Sequence, residues 1–224
     1  MKTLIRQNGL FIALSLLLAL GMGLALIYIP KGELHLLLCN RHTPARDIFY
    51  RYYTTVAEWL PYILCVAILF FGCVGDSIMA SCCMLGTTLI TQIVKHFINA
   101  PRPITWFAEH MPDIQLPMTE GIKFNEWFSF PSGHTTSFFA MAFVACILLT
   151  NHPKIAKIPG SLIQILLFAL AALGGYSRIY LSQHFMADVL AGLIVGMGVT
   201  IVIWAVFRPQ NEKKWYKMHF FEKK

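Results

Sequence analysis

A short polar stretch between two apolar runs, residues 177–188, carries Arg178, His184 and Asp188. His184 and Asp188 are four residues apart, a spacing that places two side chains on one face of a helix. A carboxylate behind an imidazole fixes its tautomer and stabilises its charged form, as in nucleophilic catalysis. Because ionisable groups at membrane depth are costly, we interpret the stretch as functional rather than as polar residues at a helix end without a role in chemistry.

A second stretch, Pro131-Ser132-Gly133-His134, stands at the start of another apolar run. Proline and serine are ordinary residues at the start of a helix, so Ser132 is also expected to cap one. A helix N-terminus offers free backbone N–H groups and a positive dipole end to an anion, and Gly133 lets the anion approach the backbone. His134, in the first turn, could give a proton to a leaving oxygen.

A third stretch carries Lys95 and Arg102, with Pro101 and Pro103 stiffening the chain after the helix. Cations without a neighbouring acid suit an anion, although Lys95 taken alone is better explained as a positive flank of a membrane span. With Arg178, three cations and a helix N-terminus suit the equatorial oxygens of a transferring phosphoryl group.

The motifs Lys-x6-Arg-Pro, Pro-Ser-Gly-His and Ser-Arg-x5-His-x3-Asp, in this order between residues 95 and 188, resemble the signature of the type 2 phosphatidic acid phosphatases. That superfamily also includes vanadium-dependent haloperoxidases. The resemblance implies that His184 is a nucleophile that forms a phosphohistidine, that Asp188 orients it, and that His134 protonates the leaving group and then activates water. It implies that the remaining motif residues hold the phosphoryl oxygens: Lys95, Arg102, Ser132, Gly133 and Arg178. It also implies that no metal or other cofactor is needed.

The composition is that of an integral membrane protein. Of the 224 residues 57% are hydrophobic and only 13% are charged, about half the charged fraction of soluble domains. The net charge of +7 is explained by positive residues flanking the spans rather than by nucleic-acid binding. The six cysteines lack zinc-like or paired spacing, so neither a structural disulfide nor a cysteine-bound metal is expected.

The apolar runs predict an all-α polytopic membrane protein, one domain over residues 1–224. The predicted spans are Leu10–Ile29, Val56–Val74, Ile78–Phe97, Thr135–Leu149, Gly160–Gly175 and Asp188–Phe207. Residues 31–54 are expected to be an interfacial segment, Gly75–Ser77 a polar turn, and residues 208–224 a basic cytoplasmic tail. The insert 104–130 is expected to cover the site and select the substrate, although its tryptophans could equally be interfacial anchors.

Six spans with both termini in the cytoplasm would place all three motifs at the outer membrane–water boundary. Ten lysines and arginines would then face inward and eight outward, three of the eight being Lys95, Arg102 and Arg178. This bias favours the orientation, although Arg41, Arg46 and Arg51 oppose it. The sequence thus predicts a bacterial inner-membrane protein whose active site faces the periplasm or exterior.

The predicted function is hydrolysis of a phosphomonoester or diphosphate on an envelope lipid, with the bilayer and the lipid as its partners and with no protein partner. Bacterial members of the resembled family act on undecaprenyl diphosphate, lipid A phosphates or phosphatidylglycerol phosphate, and the sequence does not choose among these. Two alternatives stay open: a haloperoxidase-like enzyme that holds vanadate, and an anion transporter or channel.

Overall fold

The computed structural model describes residues 2–150 and 157–219, and within these ranges the regular structure is helical without a strand. Its α-helices, in chain order, are α1 Lys2–Tyr28, α2 Lys31–Cys39, α3 Pro44–Phe71, α4 Val74–Ile98, α5 Pro103–His110, α6 Gly133–Leu149, α7 Gly160–Tyr180 and α8 Met186–Phe207. The all-α prediction is confirmed for the described ranges. The predicted connector from Asn151, up to residue 156, and the tail residues 220–224 lie outside them.

Five stretches of the described chain are long and apolar enough to cross a membrane: Thr3–Tyr28, Pro44–Phe71, Val74–His110, Gly160–Tyr180 and Met186–Gln210. They correspond to five of the six predicted spans. The helix α6 is apolar but has only 17 residues, which is below the ~20 that a bilayer crossing needs. Its assignment as a sixth span therefore stays a prediction.

The second span begins earlier than expected. Thr43 caps α3, since its Oγ1 accepts a hydrogen bond from the backbone N–H of Arg46 at 3.3 Å, and Pro44 occupies the first helical position. Such a start is favourable, because the cap satisfies a free N–H group and proline lacks one. Residues 31–54, which were expected to be an interfacial segment, form α2 and the first turns of α3, and their place at the membrane interface stays a prediction.

The predicted polar turn at Gly75–Ser77 is also wrong, because these residues lie in the first turn of α4. The tail supplies the reason. The backbone N–H of Val74 donates to the carbonyl of Met218 at 2.8 Å, and that of Gly75 donates to the carbonyl of Tyr216 at 3.0 Å. Carbonyls from the tail thus satisfy N–H groups that a helix start leaves free, so α4 begins directly after α3.

Close packing of α6 on α8 brings the second and third motifs together. A Cβ atom built at Gly192 would lie 2.7 Å from the carbonyl oxygen of Ser132, and one at Gly196 would lie 2.6 Å from that of Thr136. Glycines four residues apart allow two helix backbones to approach each other. Larger residues at these two positions would push the start of α6 away from the start of α8.

Candidate active site

The three motifs meet in one cavity of about 630 Å³. Six of the predicted residues line it: Lys95, Arg102, Gly133, His134, Arg178 and His184. Ser132 and Asp188 lie behind its wall and are 0% and 5% exposed, respectively. The fold therefore gathers into one place side chains that come from α4, α6, α7, α8 and the loops between them.

His184 lies in the loop between α7 and α8, not on a helix. Ser182, with φ of 50°, takes the left-handed conformation after α7, and α8 begins only at Met186. The prediction that His184 and Asp188 share a helix face is therefore wrong. Their contact still forms, because the first turn of α8 brings Asp188 Oδ2 to 3.4 Å from His184 Nδ1.

Ser129 joins this pair and was missed by the sequence analysis. Its hydroxyl donates a hydrogen bond to Asp188 Oδ2 at 2.5 Å, and its Oγ lies 3.4 Å from His184 Nδ1. Its backbone N–H donates to the carbonyl of Ala100 at 3.0 Å, and the side chain is fully buried. A lone serine upstream of Pro131 carries no signal in a single sequence, so only the fold reveals it.

The charge state of His184 follows from its surroundings. Burial lowers the pKa of His184 well below its usual value, and the cations of Arg178, Arg102 and Lys95 lower it further. Both effects disfavour a positively charged imidazole. Without a bound anion, His184 is therefore neutral at physiological pH, which is the form with a free nitrogen lone pair.

Neutral acceptors hold the three cations. Lys95 Nζ donates to the carbonyl of Phe128 at 2.6 Å. Arg102 Nε donates to the carbonyl of Trp127 at 3.0 Å, and Arg178 Nη1 donates to Thr54 Oγ1 at 2.6 Å. In the described part of the chain no ion pair reaches these cations. Their positive charge is therefore available to an anion.

Gln183 connects two of the cations and was also missed. Its Oε1 accepts a hydrogen bond from Arg102 Nη1 at 3.0 Å and a longer one from Arg178 Nη2 at 3.5 Å. One uncharged oxygen thus holds arginines from two motifs near each other despite their repulsion. Gln183 occupies one of the unspecified positions between Arg178 and His184 in the third motif. At such a position the residue type alone does not predict this role.

Ser132 caps α6, as expected. Its Oγ accepts hydrogen bonds from the backbone N–H of Thr135 at 3.4 Å and from Thr135 Oγ1 at 2.9 Å. The hydroxyl proton of Ser132 is left to donate elsewhere. In the same first turn of α6, His134 Nε2 lies 3.1 Å from Glu58 Oε1. Glu58 belongs to α3, which carries none of the three motifs, so it was not among the predicted residues.

The insert forms part of the cavity wall. Gly121, Lys123 and Asn125 line the cavity, and the carbonyls of Trp127 and Phe128 hold the two cations described above. The insert therefore forms part of one wall of the site, while the expectations that it covers the site and selects the substrate stay predictions. In the described ranges no group of three or more histidine, cysteine, aspartate or glutamate residues is arranged to hold a metal ion.

Comparison with known proteins finds one family and several relatives. The family described as the PAP2 superfamily matches residues 77–212. A lipid A 4'-phosphatase of Porphyromonas gingivalis is 24% identical over 79% of this chain and 72% of its own length. A putative undecaprenyl-diphosphatase of Escherichia coli, YbjG, is 30% identical over 52% of this chain, which spans 60% of that protein.

A solved structure has the same fold. It is the transmembrane PAP2 type phosphatidylglycerolphosphate phosphatase of Bacillus subtilis, with a TM-score of 0.64 and 21% identity. The likeness covers 94% of this chain and 99% of that one. The similarity in fold therefore extends beyond the residues that the family matches, to the helices α1 to α3.

Proposed function

The chain belongs to the PAP2 superfamily, and from that premise we propose that it is a membrane phosphatase that hydrolyses a phosphomonoester or diphosphate on an envelope lipid. The observation that carries the proposal is the single cavity shared by Lys95, Arg102 and Arg178 with His134 and His184. Three cations that form no ion pair with the described residues suit a phosphoryl group, and two histidines supply a nucleophile and a proton donor.

In the proposed first step, His184 attacks the phosphorus atom with the ring nitrogen that does not face Asp188. A phosphorus–nitrogen bond forms as the bond from phosphorus to the leaving oxygen breaks. His134 gives its proton to that oxygen, so a lipid alcohol or a lipid phosphate departs. Asp188 stabilises the positive charge on the imidazole ring of His184.

In the proposed second step, water attacks the phosphohistidine. The neutral His134 takes a proton from the water, an oxygen–phosphorus bond forms, and the phosphorus–nitrogen bond breaks. Inorganic phosphate leaves and both histidines return to their starting states. Throughout, Lys95, Arg102 and Arg178 stabilise the charge that spreads over the phosphoryl oxygens, and the backbone N–H groups at the start of α6 add donors.

Arg178 supports the assignment of the phosphate position. Its Nε is buried without a hydrogen-bond partner among the described residues, and the side chain is only 6% exposed. A buried guanidinium with an unused donor is costly unless an acceptor binds there. A phosphoryl oxygen is such an acceptor, with a charge that matches the guanidinium.

The test is phosphate release by the purified protein from lipid A, undecaprenyl diphosphate and phosphatidylglycerol phosphate in mixed micelles. We expect release from at least one lipid, both with and without EDTA, because protein cations take the place of a metal. Hydrolysis lost on chelation and restored by magnesium would contradict the proposed mechanism. A protein that carries phosphate across vesicles without cleaving any ester would instead be a transporter.

We further propose that the chain is a bacterial inner-membrane protein with the cavity facing the periplasm or exterior. The charge bias of the sequence and the gathering of all three motifs at one cavity support this orientation. A site facing outward would act on lipids that have already been flipped across the membrane.

A further inference from the structure

Glu58 is an acid within a helix that is apolar enough to span a membrane. It lies in the middle of α3, the span Pro44–Phe71. A carboxylate within such a helix is costly and indicates a function. The PAP2 family match covers residues 77–212, so Glu58 stands outside the matched region and outside the three motifs.

The position of Glu58 is defined by two contacts on one face of α3. Its Oε1 lies 3.1 Å from His134 Nε2. One helical turn earlier, Thr54 Oγ1 accepts the hydrogen bond from Arg178 Nη1 at 2.6 Å. Residues four apart share a helix face. This face of α3 therefore contacts both a cation and a histidine of the site.

The carboxylate of Glu58 opens into the cavity. The side chain of Glu58 is 61% exposed and that of His134 is 26% exposed, and both line the cavity. Among the described residues that line it, Glu58 is the one acid. The negative charge of Glu58 is thus placed to offset the positive charges of the cations around His134.

The charged and titratable groups around His134 come from several elements. Besides Glu58 on α3, they are Lys95 on α4, Arg102 before α5, Arg178 on α7 and His184 in the following loop. Burial and the nearby cations disfavour a proton on His134, whereas a carboxylate within hydrogen-bond distance favours it. An acid catalyst must hold its proton at the pH of the reaction.

We propose that Glu58 is a positioning residue that acts through His134. Its carboxylate accepts a hydrogen bond from the Nε2–H group and favours the charged imidazole. The other ring nitrogen can then protonate the leaving oxygen. The transferred proton comes from His134, and Glu58 itself transfers none. The proposal rests on the proposed phosphatase function, and it extends the site to a helix that the family motifs do not include.

The test compares Glu58→Gln with the parent across pH, on a lipid phosphomonoester that the parent hydrolyses and on p-nitrophenyl phosphate. Nitrophenolate leaves without needing a proton, whereas a lipid alkoxide needs one. We expect kcat on the lipid to fall about tenfold or more, with KM changed by less than about threefold. On the nitrophenyl ester the loss should be less than about threefold.

The pH profile gives the second readout. In Glu58→Gln the alkaline fall of kcat should move to lower pH by about one unit, because the amide no longer favours the protonated imidazole. Glu33→Gln is the matched control, since Glu33 is an exposed acid on α2 outside the cavity, and its profile should equal that of the parent. Stabilisation of the folded protein by vanadate against thermal unfolding reports whether the phosphate site of each variant is intact.

The proposal would be overturned if the alkaline fall of kcat in Glu58→Gln occurs at the same pH as in the parent, or if kcat falls equally on the two esters. If this variant does not fold, Glu58→Asp is measured in the same way. Its shorter carboxylate should move the alkaline fall of kcat to lower pH by a smaller amount. An alkaline fall at the pH of the parent would again overturn the proposal. Failure of the parent to release phosphate from any lipid would instead contradict the proposed function, so the two failures are distinguishable.

Discussion

The side-chain oxygen of Gln183 lies 3.0 Å from Arg102 Nη1 and joins a residue of the first motif to the loop that carries His184. The same oxygen contacts Arg178 Nη2 at 3.5 Å. Two like charges are therefore held at one position before any substrate binds. Such pre-organisation spares the substrate the cost of ordering them.

Replacing Gln183 should weaken phosphate binding without removing the chemistry. In Gln183→Ala the arginines lose their common acceptor, and we expect KM and the inhibition constant for vanadate to rise about tenfold, as for a lost charge-assisted hydrogen bond. Steady-state kinetics with vanadate titration measures this. Gln115→Ala, at an exposed position, should match the parent. An unaltered vanadate constant in Gln183→Ala would contradict the role assigned to Gln183.

His184→Ala should abolish turnover while the protein stays folded, because the proposed mechanism forms the phosphoenzyme on His184 and assigns His134 to proton transfer. Phosphate release should fall by at least about a thousandfold, and the elution profile in detergent should not change. His219→Ala is the control, because His219 is exposed and its Nδ1 donates a hydrogen bond to the Gly72 carbonyl, away from the cavity. Comparable hydrolysis by His184→Ala and the parent would refute the assignment of the nucleophile.

Vanadate should inhibit competitively, since it adopts the five-coordinate geometry of the phosphoryl transition state. Arg178→Ala should weaken vanadate binding and turnover together by at least about tenfold, because one buried guanidinium serves both. Arg178→Lys should recover only part of the loss, since an ammonium lacks the planar fork. The measurement is inhibition by vanadate at several substrate concentrations. Full vanadate affinity in Arg178→Ala would separate Arg178 from the phosphate position.

His35 should make the folded state sensitive to acid. Burial lowers its pKa to about 4, with a smaller lowering by Lys31 and an opposing effect of Asp188. In the unfolded chain His35 takes up a proton below about pH 6.5, whereas in the folded protein it does so only near pH 4. The unfolded state therefore binds more protons in this window, so stability is present above pH 6.5 and is lost as the pH falls.

The loss expected from His35 is on the order of 3 kcal/mol by pH 4. Thermal unfolding in detergent at pH 7.5 and pH 5 measures it as a fall in Tm. In His35→Leu the fall should be smaller, whatever the starting Tm, because the titrating group is gone. An equal fall in the parent and in His35→Leu would show that other groups cause the acid sensitivity.

The orientation of the protein can be tested by single cysteines placed at Gln115 and at Asn211, in a background without the native cysteines. A membrane-impermeant thiol reagent added to intact spheroplasts should label the cysteine at position 115. The cysteine at position 211 should react only after the membrane is opened. The reverse labelling would overturn the proposed topology and leave the proposed chemistry standing.

The sequence by itself determined the family and the chemical inventory of the cavity. The order and spacing of the motifs identified Lys95, His134 and His184, and the fold brings these three residues to one cavity. Apolar runs located the five helices that are long enough to span a membrane, since bilayer thickness fixes the length of a span. Helix boundaries were less well predicted, because hydropathy does not report capping by distant groups such as the tail carbonyls of Tyr216 and Met218.

Only the tertiary structure decided which partners the motif residues have. Ser129, Gln183 and Glu58 contact Asp188, Arg102 and His134, respectively. Their positions follow from how α3, α6 and the loops pack, and a single serine, glutamine or glutamate has no spacing that marks it. The contact of His184 with Asp188 likewise depends on where α7 ends and α8 begins, not on the helical spacing of the two residues. Hydrogen bonds act over about 3 Å, so they are fixed only when the fold brings distant segments together.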